Sequence, residues 1–285
     1  MMTTLPALAL HAIGHRYGPA TVLEGVDLQV PPGEVVALLG RSGCGKTTLL
    51  RIAAGLLTPS EGRVDTDFSR HAIVFQQPSL LPWQRLLDNI ALGLKARGLA
   101  RAERRARAAT LAAQVGLTEQ DHAKYPAELS GGMQSRAALA RAFAVEPALL
   151  LMDEPFSALD VGLRAEMHAL LAQHIHDHAA AALLVTHDVM DAVRLAHGLV
   201  FMVPDPGRVL VRFGMAQPLN QRDDEWVFHH TALLMAHPLV RQAFSLPPLT
   251  PEAAASAQTR LAASGIHMLA CPAQATPVVR GAGCG

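Results

Sequence analysis

Long hydrophobic runs are missing from this sequence. Half of the 285 residues are apolar, yet no stretch reaches the roughly 18–20 residues needed to cross a bilayer, so a soluble globular chain is expected. Net charge is missing as well. Lys plus Arg and Asp plus Glu each number 24, leaving no global field to favour nucleic acid or acidic lipid, and no nucleic-acid partner is expected. Any anion site must be local. Cysteine is scarce: Cys44, Cys271 and Cys284 are odd in number and far apart, which argues against a disulfide framework or zinc knuckle and fits a reducing compartment. Lysine is equally rare, since only Lys46, Lys95 and Lys124 occur among the 24 basic residues. A lysine therefore marks a place where a compact point charge is wanted instead of a guanidinium fork. Residues 5–13 have the apolar character of a signal-peptide core, but no Lys or Arg precedes them and no cleavage site follows, so no secretion signal is expected.

Residues 22–30 alternate apolar and polar like a half-buried strand. After the turn Pro31-Pro32-Gly33 comes the β-branched run 34–39, EVVALL. The segment Gly40-Arg41-Ser42-Gly43-Cys44-Gly45-Lys46-Thr47 follows directly and reads G-x-x-x-x-G-K-[ST], with Thr48, Leu49 and Leu50 opening a helical pattern. At this chain's residue frequencies that pattern arises by chance about 0.0015 times, so a bland glycine turn is a poor account of it. Glycines let consecutive N–H groups converge on a phosphate, and the helix start adds the positive end of its dipole. Lys46 is placed to neutralise β- and γ-phosphates, and Thr47 offers a hydroxyl to Mg²⁺. Gly40 to Thr48 are therefore nucleotide-binding candidates.

A second apolar run, 148–152, ends in Asp153-Glu154-Pro155. Asp153 is suited to hold Mg²⁺, and Glu154 to orient and polarise a water attacking the γ-phosphate. Leu129-Ser130-Gly131-Gly132-Met133 then reads as a Ser cap followed by two glycines at the start of an Ala-rich helix. Capping explains Ser130 but not Gly131 and Gly132, which cost about 1 kcal/mol each inside a helix. Exposed N–H groups at such a start form a second anion site, so two copies could share nucleotides across a dimer.

With these elements in order, the chain resembles the nucleotide-binding subunit of an ABC transporter over roughly residues 7–215. The resemblance rests on the phosphate loop, Val74-Phe75-Gln76, the LSGGM segment 129–133, LLLMDEP at 149–155, Ser157-Ala158-Leu159-Asp160 and Val185-Thr186-His187-Asp188. It implies that Tyr17 stacks on adenine, Gln76 reaches Mg²⁺ and senses a membrane subunit, and His187 holds the γ-phosphate. Ser130, Gly131 and Gly132 would contact ATP bound by the opposite copy. The segment 77–83, QPSLLPW, with 87–90, LDNI, is closer to importers of the nitrate, sulfonate and taurine group. An apolar loop carrying Trp83 beside Gln76 suits a docking groove for a permease, with ordinary core as the competing reading.

The implied fold is an α/β P-loop NTPase: a mainly parallel core sheet, an antiparallel β-subdomain, and a helical subdomain at about 77–146. One nucleotide-binding domain would span 7–240, and the Pro-, Ala-, Gly- and Ser-rich residues 241–285 read as a tail or small appendage of unassigned role. The implied function is ATP hydrolysis with Mg²⁺, energising uptake of a small anionic solute. The implied partners are a second copy, an integral permease and an extracytoplasmic binding protein, placing the chain at the cytoplasmic face of the inner membrane. A non-transport ABC ATPase of DNA repair or translation is the alternative.

Three departures stand out. Ser135 replaces the family's usual Gln, His197-Gly198 replaces a usual Asp-Arg, and 62–73 is short for the β-subdomain. His174 and His178 have metal-capable i, i+4 spacing with His168 nearby, but adventitious surface histidines are the favoured reading. Arg97, Arg101, Arg104, Arg105 and Arg107 read as a solvated helix face. Cys44, inside the phosphate loop, predicts inhibition by thiol reagents with protection by MgATP.

Overall fold

A computed structural model describes residues 6–67 and 70–270. The chain opens with two long strands, β1 (Leu8–Tyr17) and β2 (Ala20–Val30), then β3 (Val35–Leu39) and helix α1 (Lys46–Ala53). Strand β4 (Glu61–Thr66) pairs antiparallel with β1, giving a three-stranded sheet of order β2-β1-β4. The apolar residues that mimic a signal core are Leu8, Leu10 and Ile13, all buried on β1.

Strand β5 (His71–Val74) leads into four helices: α2 (Leu86–Ile90), α3 (Leu92–Ala96), α4 (Arg101–Gln114) and α5 (Gly131–Phe143). Then follow β6 (Leu149–Asp153), α6 (Val161–His178), β7 (Ala181–Val185), α7 (Val189–Leu195), β8 (Gly198–Val203) and β9 (Arg208–Met215). Helices α8 (Asp224–Met235), α9 (Pro238–Ala243) and α10 (Pro251–Ala262) precede the last strand, β10 (Ile266–Leu269).

The main sheet has the order β10-β9-β8-β3-β7-β6-β5, parallel from β8 to β5 and antiparallel across β8, β9 and β10. All five residues of β3, β6 and β7 are buried, as a parallel sheet covered on both faces requires. Side-chain alternation splits them between two cores. Ala37, Leu39, Leu150 and Leu184 face the larger helical layer, whereas Val36, Leu38, Leu151 and Leu183 face α1 and the antiparallel sheet. Register places Leu38 opposite Val185, and Val185 opposite Asp153. The carboxyl ends of three strands thus lie side by side, where open α/β sheets form their ligand sites.

The stretch after residue 240 does not stand apart from the sheet. Strand β10 pairs along β9 from Ile266↔Met215 to Leu269↔Arg212, and Ala257 and Leu261 of α10 are buried. An alanine and a leucine one turn apart suffice to seat the helix, which overall composition hid. Cys271, Cys284 and the rest of 271–285 lie outside the described residues.

Several side-chain expectations change. Trp83 is 71% exposed and is no part of the core. Its loop is held by buried Asn89, whose amide donates to the carbonyls of Leu81, Gln84 and Arg85 and whose Oδ1 accepts from Leu81 N. Arg141 clamps the preceding turn through the carbonyls of Pro78 and Ser79, both at 2.8 Å. The histidine cluster is only partly surface: His176 and His178 are exposed, whereas His168 is buried 3.2 Å from Asp191 and half-buried His174 stacks on Phe143. Among the described residues no group of three or more His, Cys, Asp and Glu is arranged to hold a metal. His197 accepts from Val35 N through Nδ1 at 3.0 Å, tying β8 to β3 without an ion pair. Ser135 Oγ bonds back to Gly131 O at 3.1 Å, and Arg136 spans to the carbonyls of Val115 and Gly116. The arginine face of α4 is partly paired, with Arg107 reaching Glu103 and Glu146, and Arg105 reaching Asp88.

Candidate functional site

The phosphate loop leaves β3 at Gly40, whose φ of 148° and close approach to Met202 O admit no side chain: a Cβ there would meet that oxygen at 2.6 Å. Gly45, at φ 92°, sits before the first turn of α1, where a Cβ would strike Leu23. The loop therefore closes tightly over its own lysine. Lys46 Nζ donates to Gly40 O at 2.7 Å and Arg41 O at 3.0 Å, and the residue is buried. Cys44 lies beneath the loop with no exposed surface, and burial pushes its thiol pKa up despite the Lys46 charge, which lowers it. This corrects the expectation of a readily attacked thiol.

Across the sheet ends, Thr47 Oγ1 donates to Asp153 Oδ2 at 2.9 Å. Burial raises the Asp153 carboxyl pKa, only partly offset by Thr47 and the charges of Lys46 and Arg51. A buried carboxylate that among the described residues accepts a side-chain hydrogen bond only from a hydroxyl fits a hard cation with oxygen ligands, the preference of Mg²⁺. Glu154 follows at φ 49°, a left-handed conformation that costs a non-glycine residue about 1–3 kcal/mol. Its N–H donates to Val185 O, and its Oε1 lies 2.8 Å from His187 Nδ1. The strained backbone directs this carboxylate towards the end of β7, although the two residues stand 33 positions apart.

A cavity of about 650 Å³ opens over these groups. Gly40, Arg41, Ser42, Gly43, Gly45, Lys46, Thr47 and Thr48 line one side, with Gln76, Asp153, Glu154 and His187 opposite. Gln76 reaches the cavity and its neighbour Gln77 does not. Val22 and Phe244 complete the wall, and neither was singled out in the sequence. Val22 was legible only as one residue of an alternating strand, and Phe244 lies in the segment taken for an appendage.

Tyr17 and the LSGGM residues are outside this cavity. Tyr17 ends β1, 49% exposed and edge-on to His15 at 4.7 Å. Ser130 caps α5 by accepting from Met133 N, while Gly131 stands exposed with nothing within 4 Å of a Cβ built on it. One copy of the chain thus presents a phosphate cavity and, elsewhere, an open helix start.

The ABC transporter family profile matches residues 23–157. Over 227 residues, 80% of this chain and 92% of the relative, the sequence is 44% identical to the aliphatic sulfonates import ATP-binding protein SsuB of Granulibacter bethesdensis. It is 46% identical over 215 residues to the taurine import ATP-binding protein TauB of Chromobacterium violaceum, covering 72% of this chain and 82% of the relative. Among solved structures it resembles the dimeric bacterial ABC transporter cassette MJ0796, with TM-score 0.67, 30% identity, and coverage of 74% and 98%. The same cassette, dimeric and bound to ADP and Pi, matches at TM-score 0.62 and 31% identity, covering 68% of this chain and 93% of that one.

Proposed function

Because the chain belongs to the ABC transporter family and is an ATPase of its import branch, we propose that it energises uptake of a small sulfonate-type anion through a separate permease. The observation that carries the reading is the convergence of Lys46, Thr47, Asp153, Glu154 and His187 on one cavity at the strand ends. In it, loop N–H groups and Lys46 hold the β- and γ-phosphates of ATP, as a preorganised positive cradle does for developing charge. Glu154 accepts a proton from the attacking water, and His187, already beside its carboxylate, fixes that carboxylate and the γ-phosphate.

Thr47, Asp153 and Gln76 are the residues that would hold Mg²⁺ here. When bound, the ion supplies neutralisation of charge on the phosphate oxygens.

Ser130, Gly131 and Gly132 act on the nucleotide of a second copy, a role supported by the exposure of Ser130 and Gly131 away from their own cavity and by the dimeric solved cassettes. Tyr17 contributes to the adenine end of the site. Among the described residues no helix is long and apolar enough to cross a membrane. Attachment at the cytoplasmic face of the inner membrane then comes through the permease, docked against the exposed Trp83 loop, with an extracytoplasmic binding protein delivering solute. The nucleotide-binding domain is placed at about residues 7–240, with 77–146 as its helical subdomain, and β10 and Phe244 add to its sheet and its cavity from beyond that boundary.

Reconstitution with its permease and binding protein in ATP-loaded vesicles tests the reading. Uptake of taurine or an alkanesulfonate, lost with Lys46→Ala, is the expected result. ATP hydrolysis without uptake of either solute class would overturn the substrate assignment.

A further inference from the structure

Arg41, the second residue of the phosphate loop, is exposed at the cavity mouth and pairs with no carboxylate among the described residues. Among the described residues its side chain makes one hydrogen bond, from Nη1 to Ser245 Oγ at 2.8 Å, to a residue 204 positions later in the chain. Ser245 is held firmly. It follows α9 at φ 51°, its N–H bonds Gln242 O, and the next N–H, of Leu246, bonds Arg241 O at 2.9 Å. Arg241 in turn donates through Nε to Pro247 O at 2.8 Å. Beside it, Phe244 lines the phosphate cavity while its ring meets Phe201 of β8 edge-on at 6.1 Å. The end of α9 is thereby fixed to the sheet and to the phosphate loop at once.

A guanidinium carries five donors, so one bond to Ser245 leaves the rest of the fork free for an anion. Arg41 shares its cavity with Glu154 and His187, the groups assigned to the γ-phosphate end. An aromatic wall there excludes water and strengthens every charge interaction inside. We infer that the segment after α9 is part of the ATP site: Ser245 positions Arg41 as a second cation for the γ-phosphate, and Phe244 screens that end from solvent. This rests on the ATPase reading above. It gives residues 244–245 a chemical role within a stretch that the sequence left unassigned.

The experiment compares wild type, Ser245→Ala, Ser245→Thr and Phe244→Leu by equilibrium binding of ATP and ADP, by KM and kcat for ATP, and by thermal melting. Ser245→Ala should weaken ATP binding about fivefold, the usual net worth of one ordinary hydrogen bond in water, and raise KM likewise. ADP affinity, kcat within about twofold and the melting temperature should hold, since the lost bond serves only the γ-phosphate. Ser245→Thr, which keeps the hydroxyl, should restore ATP affinity, and Phe244→Leu should raise KM more than it lowers kcat. Unchanged ATP affinity in Ser245→Ala overturns the inference, as does an equal fall for ATP and ADP accompanied by a lower melting temperature. Faster turnover at unchanged affinity also overturns it, because the contact would then be a restraint. If wild type binds no ATP, the ATPase reading fails and this inference with it. If wild type binds and hydrolyses ATP, only the inference is at stake.

Discussion

His187 Nδ1 and Glu154 Oε1 stand 2.8 Å apart at the ends of two adjacent parallel strands. That contact joins the carboxylate assigned to the attacking water with the imidazole assigned to the γ-phosphate, so neither side chain needs to reorganise far to act. Glu154→Gln keeps the shape but loses the proton acceptor. It should bind ATP, accumulate as an ATP-bound dimer on size-exclusion chromatography, and hydrolyse at least about a hundredfold more slowly. Turnover near wild type would remove Glu154 from the mechanism.

Cys44 has no exposed surface and a thiol pKa raised by burial. Maleimide labelling of its peptide, followed by mass spectrometry, should be far slower than for a free thiol at pH 7. It should accelerate sharply in urea. Rapid labelling of the native chain would show that the phosphate loop opens often.

Asn89 is fully buried and makes four hydrogen bonds to the loop 81–85 that presents Trp83. Asn89→Leu leaves those backbone groups unpartnered and should cost about 2–4 kcal/mol, lowering the melting temperature by several degrees. Trp83→Ala, in contrast, removes an exposed ring and should melt like wild type while weakening co-purification with the permease. Equal losses of stability in the two variants would refute this division of labour.

Burial and then the neighbouring His178 push His174 down to about 4 from an ordinary 6.5, and burial with the charge of Arg222 lowers His197. Their neutral forms are preferred in the folded chain. As pH falls from 6.5 towards 4 the unfolded chain takes up protons that the folded one refuses, so stability declines through that window. Asp121, lowered to about 2 chiefly by its bond to Lys124, adds its loss only below 3.8. Melting temperatures from pH 7.5 to 4.5 should fall, and His174→Phe, which keeps the stack on Phe143, should flatten the slope. An identical slope in that variant would exclude His174 as a contributor.

Much of the cavity was legible because its parts are contiguous in the chain. The spacing of Gly40, Gly45, Lys46 and Thr47 alone implies a loop that closes on phosphate, and the apolar runs before Gly40 and Glu154 imply buried parallel strands. Ser130 was recognisable as a helix cap, and, like Asp160, Asp188 and Asp223, it accepts from a backbone N–H of its own first turn. Other features were opaque. Composition made residues 241–285 look like an appendage, since an Ala-Leu stripe and a four-residue strand carry weak signals until β9 offers an edge to pair with.

Local spacing by itself determined which residues can bind phosphate, because backbone convergence and helix dipoles act over a few residues. Only the tertiary structure decided which distant groups share the cavity. Strand register brings Asp153 to Thr47 and Glu154 to His187, packing of α9 on the sheet brings Ser245 to Arg41, and Tyr17 and Ser130 stay outside. Contacts across 106 or 204 residues depend on how the layers stack, which no local pattern encodes.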